Sequence, residues 1–86
     1  MSYLLVIEGK AKKELSKVPR EYQQRIRLVL RSVASNPFEG KKLEGELKGK
    51  YSIRVWPYRI IYEIYEKHLI VSVIHIGHRK DVYRKF

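Results

Sequence analysis

Cysteine is absent from this 86-residue chain. Its absence excludes disulfide bonds, thiolate metal sites and cysteine nucleophiles, and it is typical of proteins that work in a reducing cytoplasm. Long apolar runs are missing too, because the longest, LIVSVI, is far too short to cross a bilayer. The opening MSYLLVIEGKAKK places its apolar residues before the positive charges and has no small-residue cleavage site, so we expect no signal peptide. The sequence therefore predicts a soluble, cytoplasmic protein without membrane contact.

Acidic residues are also scarce. Nine Asp and Glu stand against nineteen Lys and Arg, which gives a formal net charge of +10. Such an excess favours a polyanionic partner, either nucleic acid or an acidic protein. The alternative is a thermophile's charged surface, although such surfaces usually mix both signs. With 44% hydrophobic residues, the chain has the composition of one globular domain spanning residues 1–86.

The first half of the chain predicts one strand and two helices. YLLVI at residues 3–7 is a β-branched, apolar run typical of a strand. Ala11, Leu15 and Val18 recur at helical spacing, and a second helical period runs over residues 22–34. Pro19 is suited to starting the second helix, and Asn36, which precedes a proline, ends it. The short link between the helices predicts an antiparallel helical hairpin.

The second half predicts a loop and three strands. Residues 38–49 are rich in glycine and lysine and read as a loop, with Leu43 and Leu47 as anchors into the core. Strands follow at about 50–56, 58–66 and 68–76, and the last, apolar on both faces, should lie inside the sheet. The predicted fold is α+β, in the order β-α-α-β-β-β. It has an antiparallel sheet of about four strands, helices on one face, a free second face and a short basic C-terminal tail or helix.

The stretch YSIRVWPYRIIYEI predicts a hairpin with Trp56 and Pro57 at its tip. Arg54 then stands directly opposite Arg59. Because strand side chains alternate, one face is largely apolar, and the other carries Lys50, Ser52, Arg54, Arg59, Ile61 and Glu63. Opposed like charges cost about 0.2–1 kcal/mol, whereas a phosphate held between them gains about 1.5–3 kcal/mol per charge-assisted bond. The pair therefore indicates an oxyanion site suited to phosphoryl transfer; the alternative is a solvated pair separated by salt bridges, for instance Arg59 with Glu63.

The tail adds a second set of candidates. Arg79 follows the flexible Gly77 and could reach the same sheet edge as Arg59, and Tyr83 is suited to stacking on an unpaired base. His78, at the strand exit, is a possible general acid or base, whereas His75 within an apolar strand is more typical of a structural histidine. No pair of histidines has metal-ligand spacing, and no glycine-rich phosphate loop is present. We therefore expect neither a metal nor a cofactor.

Three segments occur together in an order and length that resemble a known family. They are YLLVIEGKAKKELSKVP, NPFEGKKLEGELKGKYSIRVWPYRIIYEI and VSVIHIGHRKDVYR. The chain resembles the RelE/ParE superfamily of toxins from bacterial and archaeal toxin–antitoxin pairs over nearly its whole length. Similarity to the RelE branch implies a ribonuclease that enters the ribosomal A site and cuts mRNA by attack of a 2′-hydroxyl on the adjacent phosphate. The ParE branch implies inhibition of DNA gyrase without RNA cleavage, and a non-toxic RNA-binding module is a third alternative.

The resemblance also implies roles for individual residues. Arg54, Arg59 and Arg79 match the basic residues that stabilise the phosphate, and Tyr83 matches a tyrosine that assists proton transfer or orients the base. Ser52 departs from the RelE pattern, which commonly has a lysine there that activates the 2′-hydroxyl. Lys50 or Lys48 could replace that lysine, and His78 could serve as acid or base. The expected RNA-binding residues are Lys41, Lys42, Lys48, Lys50, Lys80 and Arg84.

Partners follow from the same resemblance. Antitoxins of this family are small, are acidic in their toxin-binding part, and wrap an extended and helical segment around the toxin. A charge of +10 suits such an antitoxin as well as it suits mRNA and ribosomal RNA. We therefore expect an acidic cognate antitoxin, a toxin–antitoxin hetero-oligomer, and mRNA on the ribosome as partners.

Overall fold

The computed structural model describes residues 2–78 and 80. Strand β1 (Leu4–Ile7) leads into helices α1 (Gly9–Ser16) and α2 (Arg20–Ser35). The strands that follow are β2 (Lys41–Lys42), β3 (Lys50–Val55), β4 (Tyr58–Tyr65) and β5 (Ile70–His78). Short 3-10 helices occupy Pro37–Glu39, Gly45–Leu47 and Glu66–His68. In the part of the chain that the structure describes, neither α-helix has the length and apolar character of a bilayer span.

All five strands form one sheet in the order β1-β5-β4-β3-β2. β1 pairs with β5 in parallel, and the other three pairings are antiparallel. The α+β class is confirmed, and β5 lies inside the sheet as its apolar sequence predicts. The sheet has five strands and is mixed, because the α1–α2 crossover lets β1 return alongside β5 in the same direction. The fifth strand, β2, is a two-residue extension along the edge of β3.

The main core lies between the two helices and one face of the sheet. α2 contributes Ile26, Leu30 and Val33, as its helical period predicts. These side chains pack with α1 residues and with inward residues of β3, β4 and β5, which are Val55, Ile60, Tyr62, Val71, Val73 and Ile76. Each fully buried aliphatic side chain contributes about 1.5–3 kcal/mol. This core fixes which side of the hairpin faces the helices.

The second face of the sheet is covered in its middle, which corrects the expectation that it is free. Leu43 and Ile61 are buried there, with Leu47 and Ile74 packed against them. Leu43 and Leu47 are thus the anchors that the sequence predicts, but they anchor the loop onto this face. A register shift between β4 and β5 leaves Ile74 as an extra residue beside Ile61. These isoleucines create an apolar area that the 43–47 segment removes from water.

Candidate functional site

The β3–β4 hairpin has the register that the sequence predicts. Arg54 pairs with Arg59 and Val55 with Tyr58, so that Trp56 and Pro57 form a two-residue turn joined by a cis peptide bond. Tyr58 packs with the main core on the helix side. Because neighbouring strand residues point to opposite faces, Arg54 and Arg59 both lie on the second face. Arg54 is exposed and Arg59 is half-buried.

The two arginines line a shallow depression of about 260 Å³. Its other walls come from Ser52 and Ile53 of β3 and from the segment that enters β2, namely Glu39, Gly40 and Lys41. Glu63 forms its ion pair with Lys50, at 3.7 Å, and accepts a hydrogen bond from the Tyr65 hydroxyl at 3.2 Å. Within residues 2–78 and 80, Arg54 and Lys41 form no ion pair. The depression therefore presents positive charge to the solvent.

Lys41 reaches this face from the neighbouring strand. It pairs with Ser52 across β2 and β3, so both side chains point to the face that carries Arg54. Ser52 itself is only 4% exposed. The depression therefore has a lysine beside Ser52, the position at which the RelE pattern commonly has one. No sequence pattern predicts this pairing, because a strand of two residues has no periodicity.

A buried tyrosine holds the segment that carries Lys41. The Tyr62 hydroxyl donates to the Pro37 carbonyl at 2.7 Å and accepts a hydrogen bond from the Gly40 N–H. Burial raises the pKa of Tyr62 to about 12. A side chain at position 40 would meet the Tyr62 hydroxyl and lie 3.0 Å from the Ser52 carbonyl. Glycine is therefore required for the close approach that sets β2 against β3.

The histidines lie away from the arginine pair. His78 pairs with Tyr58 on the helix-facing side, and the two rings make an edge contact with centroids 5.9 Å apart. The structure does not bring His78 together with Arg54 and Arg59. His75 is buried, with its Nδ1 atom 2.7 Å from Glu14 Oε2, while Glu14 Oε1 accepts the Ile76 N–H at 3.0 Å. These contacts tie α1 to β5, which suits a structural histidine.

The remaining candidates are spread around the site. Lys50 shares the face of Arg54 but is engaged with Glu63, and Lys42 pairs with Tyr51 and so points to the opposite side from Lys41. Lys48 and Lys80 are exposed. Arg79, Tyr83 and Arg84 lie outside the described residues. Across residues 2–78 and 80, no group of three or more His, Asp or Glu side chains could hold a metal ion.

Comparison with known proteins establishes the family. A family model described as "ParE toxin of type II toxin-antitoxin system, parDE" matches residues 5–83. Toxin RelG of Mycobacterium tuberculosis is 31% identical over 99% of this chain and 100% of its own length. The chain belongs to the RelE/ParE family of type II toxins. Toxin RelE of the same organism is 32% identical over 95% of this toxin and 87% of its own length.

Solved structures agree with the fold of this toxin. The toxin–antitoxin complex RelBE2 from Mycobacterium tuberculosis contains a chain that matches with a TM-score of 0.86 and 28% identity, covering 94% of the toxin and 95% of that chain. The isolated RelE toxin of Escherichia coli matches with a TM-score of 0.80 and 25% identity, covering 99% of the toxin and 100% of that chain. The toxin therefore has the fold of these RelE structures along almost its whole length.

Proposed function

We propose that this toxin is an endoribonuclease that cuts mRNA on the ribosome and thereby inhibits translation. The observation that carries the proposal is the direct pairing of Arg54 with Arg59 in a solvent-open depression. Like charges directly opposite each other on one sheet face disfavour the fold by about 0.2–1 kcal/mol. A phosphodiester between them would turn the repulsion into charge-assisted hydrogen bonds on both sides.

The arrangement suits attack of a 2′-hydroxyl on the adjacent phosphate. Negative charge builds up on the non-bridging phosphate oxygens as the 2′-oxygen approaches, and fixed guanidinium donors stabilise that charge most strongly in the transition state. Arg54 and Arg59 are assigned to these oxygens. We expect Arg79 to supply a third cation and Tyr83 to stack on a base. Both belong to the segment outside the described residues. Lys42, Lys48, Lys50, Lys80 and Arg84 are assigned to more distant phosphates of the RNA.

An acidic antitoxin is the proposed protein partner. The matching RelBE2 structure from Mycobacterium tuberculosis is a toxin–antitoxin complex. The net charge of +10 supports a partner segment of opposite charge. Such a segment would form a hetero-oligomer with the toxin and compete with RNA for the same cations.

Inhibition of DNA gyrase is the second candidate function. The match to the ParE family model over residues 5–83 favours it, as does serine at position 52. On this alternative the arginine pair would contact gyrase or DNA, and no RNA bond would break.

Mapping of 5′ ends on a reporter mRNA in a translating extract separates the two candidates. Codon-phased cuts that disappear when ribosomes are kept off the message are the expected result. An intact message, together with loss of supercoiling in a purified gyrase assay, would overturn the ribonuclease proposal in favour of the gyrase inhibitor. Cuts that persist without ribosomes would support RNA cleavage by this toxin and would contradict the proposed dependence of that cleavage on the ribosome.

A further inference from the structure

We propose that Lys41 and Glu39 form the proton-transfer pair of the site, with Lys41 as the donor to the departing 5′-oxygen and Glu39 as the acceptor for the 2′-hydroxyl proton. The inference rests on the proposed ribonuclease function and adds two catalytic residues to it. From the sequence alone, Lys41 is expected only to bind RNA and Glu39 has no expected role.

The chemistry needs groups that the arginine pair does not supply. Attack of a 2′-hydroxyl requires that one proton leaves the nucleophile and that another reaches the leaving oxygen. A guanidinium is not deprotonated in proteins and holds charge rather than exchanging protons. The other described polar side chains around the depression are Glu39, Lys41 and Ser52, and the Ser52 side chain is buried. Glu39 and Lys41 are both exposed, so they are the side chains available for proton transfer.

The fold places these two residues on either side of a fixed glycine. Gly40 approaches both the Tyr62 hydroxyl and the Ser52 carbonyl too closely for any side chain. Lys41, which follows it, is set by pairing with Ser52 onto the face of Arg54. Glu39 ends the 3-10 helix whose Pro37 carbonyl accepts the Tyr62 hydroxyl hydrogen bond. Catalytic groups need such support, because a small displacement costs much of their effect.

The step balances without any further reactant. The 2′-oxygen forms a bond to phosphorus while its proton passes to the ionised Glu39 carboxylate. The bond between phosphorus and the 5′-oxygen breaks, and the Lys41 ammonium gives a proton to that oxygen. The products are a 2′,3′-cyclic phosphate on one fragment and a 5′-hydroxyl on the other. Proton exchange with water then restores both side chains.

A message with one bridging 5′-phosphorothiolate linkage tests the donor role. Sulfur leaves as a thiolate and needs no proton donor, so the substitution removes the need for Lys41 alone. On programmed ribosomes, we expect Lys41→Ala to slow cleavage of the ordinary linkage by about 100-fold or more and to cut the sulfur linkage about as fast as the unmodified toxin. Lys67→Ala is the matched control, since this exposed lysine lies in the 3-10 helix Glu66–His68 and does not line the depression; it should cut both linkages normally.

The other outcomes separate failure of the inference from failure of the function. If the unmodified toxin cuts neither linkage, the proposed ribonuclease function fails. If it cuts, and Lys41→Ala is either fully active or equally slow on both linkages, the donor role is overturned while the function stands. Glu39→Gln should be slow on both linkages, because the 2′-hydroxyl proton must still be removed, with Glu44→Gln as its control. Full activity of Glu39→Gln would overturn the acceptor role.

Discussion

Arg54 is an exposed residue that stands opposite a residue of like charge. It faces Arg59 across the hairpin and forms no ion pair within the described part of the chain. A residue placed only for stability would complement its neighbour, and this one repels it. The arrangement is understandable if a phosphate occupies the space between the two guanidiniums.

Replacement of Arg54 should therefore separate stability from activity. We expect Arg54→Gln to leave the free energy of unfolding unchanged or to raise it by about 0.2–1 kcal/mol, because one of two like charges at directly paired positions is removed. Cleavage of mRNA should fall by about 100- to 1,000-fold, the usual effect of losing one oxyanion contact. Urea denaturation and 5′-end mapping measure the two effects. Arg31→Gln, on the exposed side of α2, is the control and should change neither; equal cleavage by both variants would contradict the assignment.

Tyr62 predicts a specific dependence of stability on alkaline pH. Its pKa is raised from 10.0 to about 12 in the folded chain by burial. Folding therefore favours the protonated hydroxyl, and the stabilisation is complete below pH 10 and is lost as pH rises through about 12. At about 1.4 kcal/mol per pKa unit, the loss should be about 2–3 kcal/mol.

Equilibrium unfolding of the toxin and of Tyr62→Phe across pH 9–12 measures that dependence. The variant should be less stable at pH 8 by about 1–3 kcal/mol, since the buried Pro37 carbonyl and Gly40 N–H lose their partner, and it should show a smaller decline above pH 10. Tyr3→Phe is the control for removing the hydroxyl of a different, half-buried tyrosine and should follow the unmodified toxin. Parallel curves for the toxin and Tyr62→Phe would show that Tyr62 is not the group responsible.

At the scale of elements, helix α2 and strands β3 and β4 could be predicted from the sequence, whereas the short strand β2 could not. The buried stripe of α2 and the alternation of β3 and β4 repeat often enough to fix the faces that contact the core. β2 has two residues and depends on the edge of β3, on the Tyr62 hydroxyl and on the space that Gly40 leaves. Of these three, only Gly40 is adjacent to β2 in the sequence.

Gly40→Ala should test how much of the site depends on β2. The added methyl group would overlap the Tyr62 hydroxyl and press on the Ser52 carbonyl. Overpacking of this kind costs about 1–3 kcal/mol, and the displaced β2 should carry Lys41 away, so both thermal stability and mRNA cleavage should decrease. Gly9→Ala is a matched control, because a methyl group there meets nothing within 4 Å; it should retain both. A Gly40→Ala variant as stable and active as the control would contradict the close packing.

At the scale of the whole molecule, the net charge is the feature that predicts association with other molecules. The excess of +10 is a property of composition and predicts attraction to any polyanion. It does not distinguish mRNA from an acidic antitoxin, because both present negative charge to the same cations.

Binding to a short single-stranded RNA should depend steeply on salt. The logarithm of the affinity should fall linearly with the logarithm of salt concentration, by about 0.7 for each phosphate neutralised. Titrations at several salt concentrations should give a slope smaller in magnitude by about that amount for Lys41→Ala and for Lys42→Ala alike. Only Lys41→Ala should also lose cleavage. Comparison of the two variants therefore distinguishes the contribution of positive charge to RNA binding from the contribution of Lys41 to the cleavage step. A slope close to zero would exclude an electrostatic mode of RNA binding.

The amino-acid sequence was enough to predict the family, the α+β class, the periodic faces of α2 and the hairpin, and the pairing of Arg54 with Arg59. Each of these depends on residues that repeat at a regular spacing or lie close together in the chain. Three features became visible only in the folded chain: the 43–47 segment covers the second face, Lys41 stands opposite Ser52, and His78 faces the helices. These depend on distant segments packing together, since a short edge strand, a bulge at Ile74 and a buried hydroxyl leave no local pattern.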